Sequence, residues 1–136
     1  MLVVISLIGI LAALALVSFT SAQKQARDTT RKSDLKQYQT AVEGYALKNN
    51  DIYPIHGSSV PANTTLCTDL DIGSCPADPK NTSPYTYRYI SDASGLNYAL
   101  WGGLENNSTT TYWIVCSNGK NGTSTSAPSG GTICPL

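Results

Sequence analysis

Few side chains are placed to do chemistry. The one histidine, His56, sits in a Gly/Ser loop. Nucleophilic catalysis needs a His between an acid and a Ser or Cys. No such set stands out, and neither a phosphate-binding G-x-x-x-x-G-K-[ST] loop nor an H-E-x-x-H pair occurs. The four cysteines, Cys67, Cys75, Cys116 and Cys134, are separated by 8, 41 and 18 residues. Zinc sites want a C-x₂₋₄-C pair, so these spacings argue for disulfides instead. Of three pairings, Cys67–Cys75 and Cys116–Cys134 are favoured. Each closes a local loop and fixes a segment whose composition leaves it mobile. A loop of ~18 residues closed this way gains about 3 kcal/mol from lost chain entropy. Disulfides place the domain outside the cytoplasm.

Other candidates are weaker. Asp69, Asp71 and Asp78 share one loop and offer oxygens for calcium, but without EF-hand spacing the expectation is a solvated loop and no cofactor. Asn63, Asn81, Asn106, Asn107 and Asn121 each begin an N-x-[ST] pattern and mark where glycan could attach. Eight Tyr and two Trp suggest carbohydrate stacking or an aromatic pathway. Their period-2 placement points to sheet packing first. The expectation is a protein that is not an enzyme.

Composition narrows the class. In 136 residues, Lys+Arg and Asp+Glu both total 9, and charged residues are 13% of the chain. Soluble domains carry roughly 25%. Binding nucleic acid through bulk positive charge is excluded, as is a disordered charged tail. Neutral polarity takes the place of charge: 15 Ser, 15 Thr and 9 Asn. Such a surface suits a protein packed against copies of itself. The neutral total hides an asymmetry. Residues 24–50 hold six basic and three acidic side chains, and residues 51–136 hold three and six.

Residues 1–17 carry no charge, and the first charge is Lys24. Twenty-three residues of helix span about 34 Å, enough for a ~30 Å hydrocarbon core. A cleaved signal wants a basic segment before the apolar run and a small-x-small site after it, and neither is present. A buried core helix would need more surrounding chain than this protein has. A membrane anchor is the remaining reading. The basic cluster that follows it would orient the rest toward the cytoplasm, opposite to the cysteines. A basic leader before Met1 removes that conflict.

After Lys24 the apolar residues recur at Ala26, Leu35, Tyr38, Ala41, Val42, Tyr45 and Ala46, a helical stripe. Asp28, Arg31, Lys32 and Asp34 are expected on the polar faces, with Asp28–Arg31 and Asp28–Lys32 as pairs. No Pro occurs before Pro54, so one helix is expected from residue 1 to about 49, roughly 73 Å long. The 86 residues that follow have an expected radius of gyration near ~12 Å. Residues 23–50 can pack on a sheet, and residues 1–22 must protrude as a transmembrane or filament-core rod. Such a rod is stable in lipid or in a bundle of identical rods, where Gly9, Ala12, Ala13 and Ala15 allow close approach.

The globular part, 51–136, is expected to be a small antiparallel sheet on the helix stripe, an α+β fold. Strands are read at Tyr85–Ile90, at Asn97–Trp101 ended by Gly102-Gly103, and at Thr109–Cys116. Residues 51–84 read as a long Pro-rich loop, and 117–131 as a mobile tail closed by the 116–134 bridge.

Leu2-Val3-Val4-Ile5-Ser6-Leu7-Ile8-Gly9-Ile10-Leu11-Ala12-Ala13-Leu14-Ala15 closely resembles the N-terminal segment of type IV pilins and type II secretion pseudopilins. The likeness continues through Ala26–Leu35 and Tyr45-Ala46 to Tyr53-Pro54. Pro76-Ala77-Asp78-Pro79 with Tyr85-Thr86-Tyr87 is similar to the P-x-D-P…Y-x-Y passage of the major pseudopilin. The resemblance is dense over residues 2–54, loose from 76 to 105 and absent in the tail.

It implies the pilin fold and a homo-oligomer: a helical, extracellular, type IV pilus-like filament (a fimbrium). The core residues would be Leu2, Val3, Val4, Ile5, Leu7, Ile8, Gly9, Ile10, Leu11, Ala12, Ala13, Leu14, Leu16, Val17 and Phe19. It implies anchoring in the cytoplasmic membrane before assembly, a prepilin peptidase that trims and methylates the N-terminus, and an ATP-driven assembly machinery. The family's leader glycine, first mature residues and nearby acid would all precede Met1. Ser18-Phe19-Thr20-Ser21-Ala22 stands where the family often has a helix-bending Pro, and that stretch with Gly9 could loosen the helix on packing. The alternatives are a secretion pseudopilin and, from another class, a secreted binding module with a removed signal.

Overall fold

The computed structural model describes residues 2–131 and 133–136, without the side chains of residues 14–18. Helix α1 runs unbroken from Leu2 to Lys48, 47 residues or about 70 Å. It continues through Gly9 and the Ser18–Ala22 stretch without a kink-forming Pro. Its end is set by Asn50 and Asp51, both left-handed (φ 55° and 60°), with the Asp51 N–H returning to the Ala46 carbonyl. Asn and Asp tolerate that conformation better than most residues.

The sheet is a five-stranded antiparallel meander in chain order: β1 Val60–Pro61, β2 Arg88–Ser91, β3 Tyr98–Leu104, β4 Thr111–Cys116 and β5 Asn121–Ser124. The α+β class therefore holds. Register sets Tyr89 beside Leu100 and Leu100 beside Val115, so one face of the sheet lines up under α1. There Leu35, Tyr38 and Val42 meet Tyr87, Tyr89, Tyr98, Leu100 and Val115 in the main core.

Four expectations are corrected. First, β3 does not stop at Gly102-Gly103 but runs through both to Leu104. The glycines make room for neighbours. A Cβ on Gly102 would lie 3.0 Å from the Tyr87 ring, and one on Gly103 would lie 2.7 Å from the Pro84 carbonyl oxygen. Second, the segment 117–131 is not a free tail. It contributes β5, and Pro128 is buried. Ile133 and Cys134 then cap a second core on the back of the sheet, formed by Ile90, Ala99, Trp101, Ile114 and Cys116. That is why β3 is buried on both faces. Third, the Pro-rich stretch 51–84 contains β1, one π-helical turn Ala62–Leu66 and a short helix α2, Cys67–Asp69. Strand β2 also starts later than expected, at Arg88, because Tyr85 closes a turn onto Thr82.

The disulfides are Cys67–Cys75 and Cys116–Cys134. The first ties α2 to the loop beneath α1. The second pins the chain end across the back of the sheet.

Candidate functional site

Two surfaces of α1 have distinct characters. Within the head, α1 turns a buried stripe toward the sheet: Asp28, Arg31, Asp34, Leu35, Tyr38, Val42 and Ala46. Three of these seven are charged. Asp28, Arg31 and Asp34 therefore lie on the core face, not on the polar faces expected for them, while Ala26 is exposed.

Their burial is offset by pairing. Arg31 is fully buried and forms a two-pronged bond to Asp78, Nε–Oδ2 2.6 Å and Nη2–Oδ1 3.0 Å. Its Nη1 donates to Asp28 Oδ1 at 2.8 Å and its Nη2 meets Glu105 Oε1 at 2.7 Å. Glu105 also accepts from Arg27 Nε and Nη2, at 2.8 and 2.7 Å, and pairs with Lys80 Nζ at 2.7 Å. Asp28 in turn accepts the backbone N–H of Glu105 and Asn106. The Tyr85 ring lies under both Arg31 and Lys80. Three cations thus face three carboxylates, and the cluster is neutral. Hydrogen bonds from Arg27, then Lys80 and Arg31, hold the Glu105 carboxyl well below the usual carboxylate range against the opposing effect of burial. Burial alone would lower the Arg31 pKa, but bonds to Asp78, Glu105 and Asp28 reverse that and raise it. Among the described residues no buried side-chain polar atom lacks a partner. This network locks α1 to the 78–80 loop and to the end of β3, and so fixes how the stem leaves the head.

Deeper along the stripe tyrosines do the same work. Tyr87 donates to Asp34 at 2.7 Å, and Tyr98 and Tyr53 donate to the two oxygens of Glu43 at 2.8 and 2.9 Å. Tyr38 and Tyr89 donate to the carbonyls of Pro76 and Pro54. Burial first, then the adjacent carboxylate, pushes the Tyr53 hydroxyl up to about 12. The same causes raise Tyr87 and Tyr98 further.

The second surface is the stem. Leu2, Val3, Val4, Ile5, Leu7, Ile8, Ile10 and Leu11 are each more than half exposed, as is Phe19. Gly9, Ala12 and Ala13 are exposed among them. The side chains of Leu14, Leu16 and Val17, also expected in a packed core, lie outside the described residues. Among the described residues no helix is long and apolar enough to cross a membrane.

The three aspartates weighed as calcium ligands do not converge. Asp78 is spent on Arg31, and Asp69 Oδ2 lies 2.6 Å from His56 Nε2. Asp71 is exposed on its own left-handed turn. The three carboxylates have different partners, and no cluster of His, Cys, Asp or Glu suited to a metal occurs among the described residues. His56 pairs with Asp69 and edges onto Tyr89. Of the glycan candidates, Asn81, Asn106, Asn107 and Asn121 are exposed, whereas Asn63 is half-buried in the π-helical turn. The buried ion network was missed from sequence because its members sit three and four apart on a helix, the spacing of an ordinary solvated charged face.

No family model, curated protein or solved structure matches the chain. The functional reading therefore rests on the stem, the head and the clamp between them.

Proposed function

We propose that the chain is the structural subunit of a type IV pilus-like filament with the pilin fold, and that it is not an enzyme. The supporting observation is the stem, in which nine large apolar side chains stand exposed on a helix that outruns its own head. Fully burying each is worth roughly 1.5–3 kcal/mol, so together they offer on the order of 10–30 kcal/mol per subunit. Association costs about 4–15 kcal/mol, so stem-on-stem packing can win. Gly9, Ala12 and Ala13 let helices approach closely. Before assembly, lipid of the cytoplasmic membrane covers the same surface. The sheet domains face outward, where two disulfides and a hydroxyl-rich surface suit an extracellular location. The resemblance over residues 2–54 supports the same reading.

The test is a charge in the stem. Ala13→Asp buries a carboxylate with no partner at the helix–helix contact. Electron microscopy of sheared surface material should then show no filaments, while the disulfide-closed head keeps its circular dichroism. Wild-type numbers of filaments from this variant would overturn the proposal. A short piston retained in the envelope, in place of long surface fibres, would identify a secretion pseudopilin.

A further inference from the structure

The head carries a second unpartnered apolar surface, at its far end from the stem. Gly95 adopts a left-handed φ of 69° in the β2–β3 turn, where its Tyr53-bonded carbonyl draws in the chain that follows α1. A Cβ on Gly95 would lie 2.6 Å from Ile52 Cγ2 and 3.2 Å from Ile55 Cγ1, and Leu96 is the next residue. Ile52 and Ile55 thus meet at Gly95, with Leu96 beside it in the chain, yet Ile52 is 38%, Ile55 55% and Leu96 60% exposed. Carboxylates rim the patch. Asp51 precedes Ile52 and is exposed, and Asp92 accepts the backbone N–H of Leu96 at 2.9 Å. Neither pairs with a cation among the described residues. Asp71 is exposed nearby, along the groove that Lys48 and Asn49 also line, so the acids outnumber Lys48 at this end.

The complementary feature lies at the opposite end of the head. Lys24 is exposed and forms no ion pair among the described residues. It precedes Asp28 by four, Arg31 by seven and Leu35 by eleven residues, so it lies on the face of α1 that bears the head, one turn short of it. The chain before it, back to Leu2, holds no charge. One end of the head therefore offers an uncharged helix face ending in a cation, and the other an apolar patch rimmed by carboxylates.

We infer that the Ile52–Ile55–Leu96 patch of one copy is the seat for the stem of a second copy, whose Lys24 lies between Asp51 and Asp92. The contact is heterologous, because the two surfaces differ, and repeating it builds an open assembly instead of a closed dimer. The apolar patch supplies cohesion, and the charges fix which end meets which. The inference rests on the filament reading and adds the register by which heads stack.

Zero-length carbodiimide coupling of sheared filaments, followed by peptide mass spectrometry, tests it. Residues 24 and 48 are about 36 Å apart along one rigid helix. Lys24 therefore cannot reach its own Asp51, and a Lys24–Asp51 or Lys24–Asp92 bond reports two copies. Coupling at these pairs is the expected result. Lys24→Glu should remove it and cut filament yield several-fold, and Asp51→Asn should weaken assembly without unfolding the head. Filaments that form normally in Lys24→Glu, with no Lys24–Asp51 or Lys24–Asp92 coupling in the wild type, would overturn the seat and leave the filament reading standing. Wild-type protein that stays monomeric with its stem intact would overturn both.

Discussion

Arg31 is the residue on which most of the head depends. It is fully buried and satisfies Asp28, Asp78 and Glu105 at once. Arg31→Ala leaves Asp28 and Asp78 in a poorly solvated site without their guanidinium partner, while Glu105 keeps Arg27 and Lys80, and breaking a buried pair this way costs about 3–5 kcal/mol. Arg31→Lys should recover only part of that, since one ammonium cannot serve three carboxylates bidentately. Urea denaturation of both variants checks the order. Two carboxylates, one inside this cluster and one outside it, set the acid limit. Glu105 and Asp92 have folded-state pKa values below their ordinary values of 4.5 and 3.8. Burial would raise Asp92, but bonds from Asn97, Ser94 and the Leu96 N–H outweigh it and hold it at about 2. Depressed carboxylates stabilise fully above their unfolded values and lose that contribution as pH falls through the folded ones. Stability should therefore decline below about pH 4.5 and keep declining toward pH 2. The buried tyrosines act at the other limit. Tyr53 is raised from 10.0 to about 12, so its contribution is present below pH 10 and fades as pH climbs through 12. Thermal melts across pH should show a plateau between these limits. A melting temperature that rises on acidification from pH 5 to 3 would contradict this. Of this chemistry only the Asp28–Arg31 pair was legible in the sequence. Only the fold, by bringing Asp78 and Glu105 from distant segments, turns a solvated-looking charge stripe into a buried clamp.

At the level of elements, α1 and the central strands were readable because their signals are local. An uninterrupted helical stripe and an Asn-rich stop define α1, and β-branched and aromatic runs define β3 and β4. What escaped reading depends on neighbours. Gly102 and Gly103 look like a strand terminator but are required where Tyr87 and Pro84 cross β3. Gly103→Ala would place a methyl 2.7 Å from a backbone oxygen that cannot swing aside, whereas Gly102→Ala meets a ring edge at 3.0 Å. Overpacking of this kind costs about 1–3 kcal/mol, with Gly103→Ala expected at the upper end and Gly102→Ala below it. Equal melting temperatures for the two variants would refute the distinction. The C-terminal segment misled for a related reason. Its composition is that of a tail, but the Cys116–Cys134 bridge and the Trp101 side of the sheet hold it down. Replacing both cysteines by Ser opens an 18-residue loop, at a cost of about 3 kcal/mol. Trp101, now nearly buried, should then gain solvent contact and its fluorescence should shift to the red. An unchanged spectrum would mean that the tail stays docked without its bridge.

The molecule as a whole has two unequal halves joined by one helix. The head is self-sufficient: two cores, one on each face of the sheet, and two disulfides. The described stem side chains from Leu2 to Ala13, and Phe19, stand exposed. This imbalance was legible from sequence, because a helix of about 70 Å exceeds any head that 86 residues can build. It also dictates how the assembly should respond to solvent. If apolar stem surface supplies the cohesion, detergent competes for it directly, while salt leaves it intact or strengthens it. If exposed charge pairs supplied the cohesion, the reverse would hold, since their attraction is screened within about 3 Å at 1 M salt. Sedimentation of the full-length protein separates the two cases. Large particles in plain buffer should persist at 1 M sodium chloride and collapse to monomers above the critical micelle concentration of a mild detergent. The head's circular dichroism should be unchanged throughout, because the Arg31 clamp and both disulfides lie outside the surface that detergent covers. Particles that dissolve in salt but survive detergent would place the cohesion in the heads and remove the stem from its assigned role.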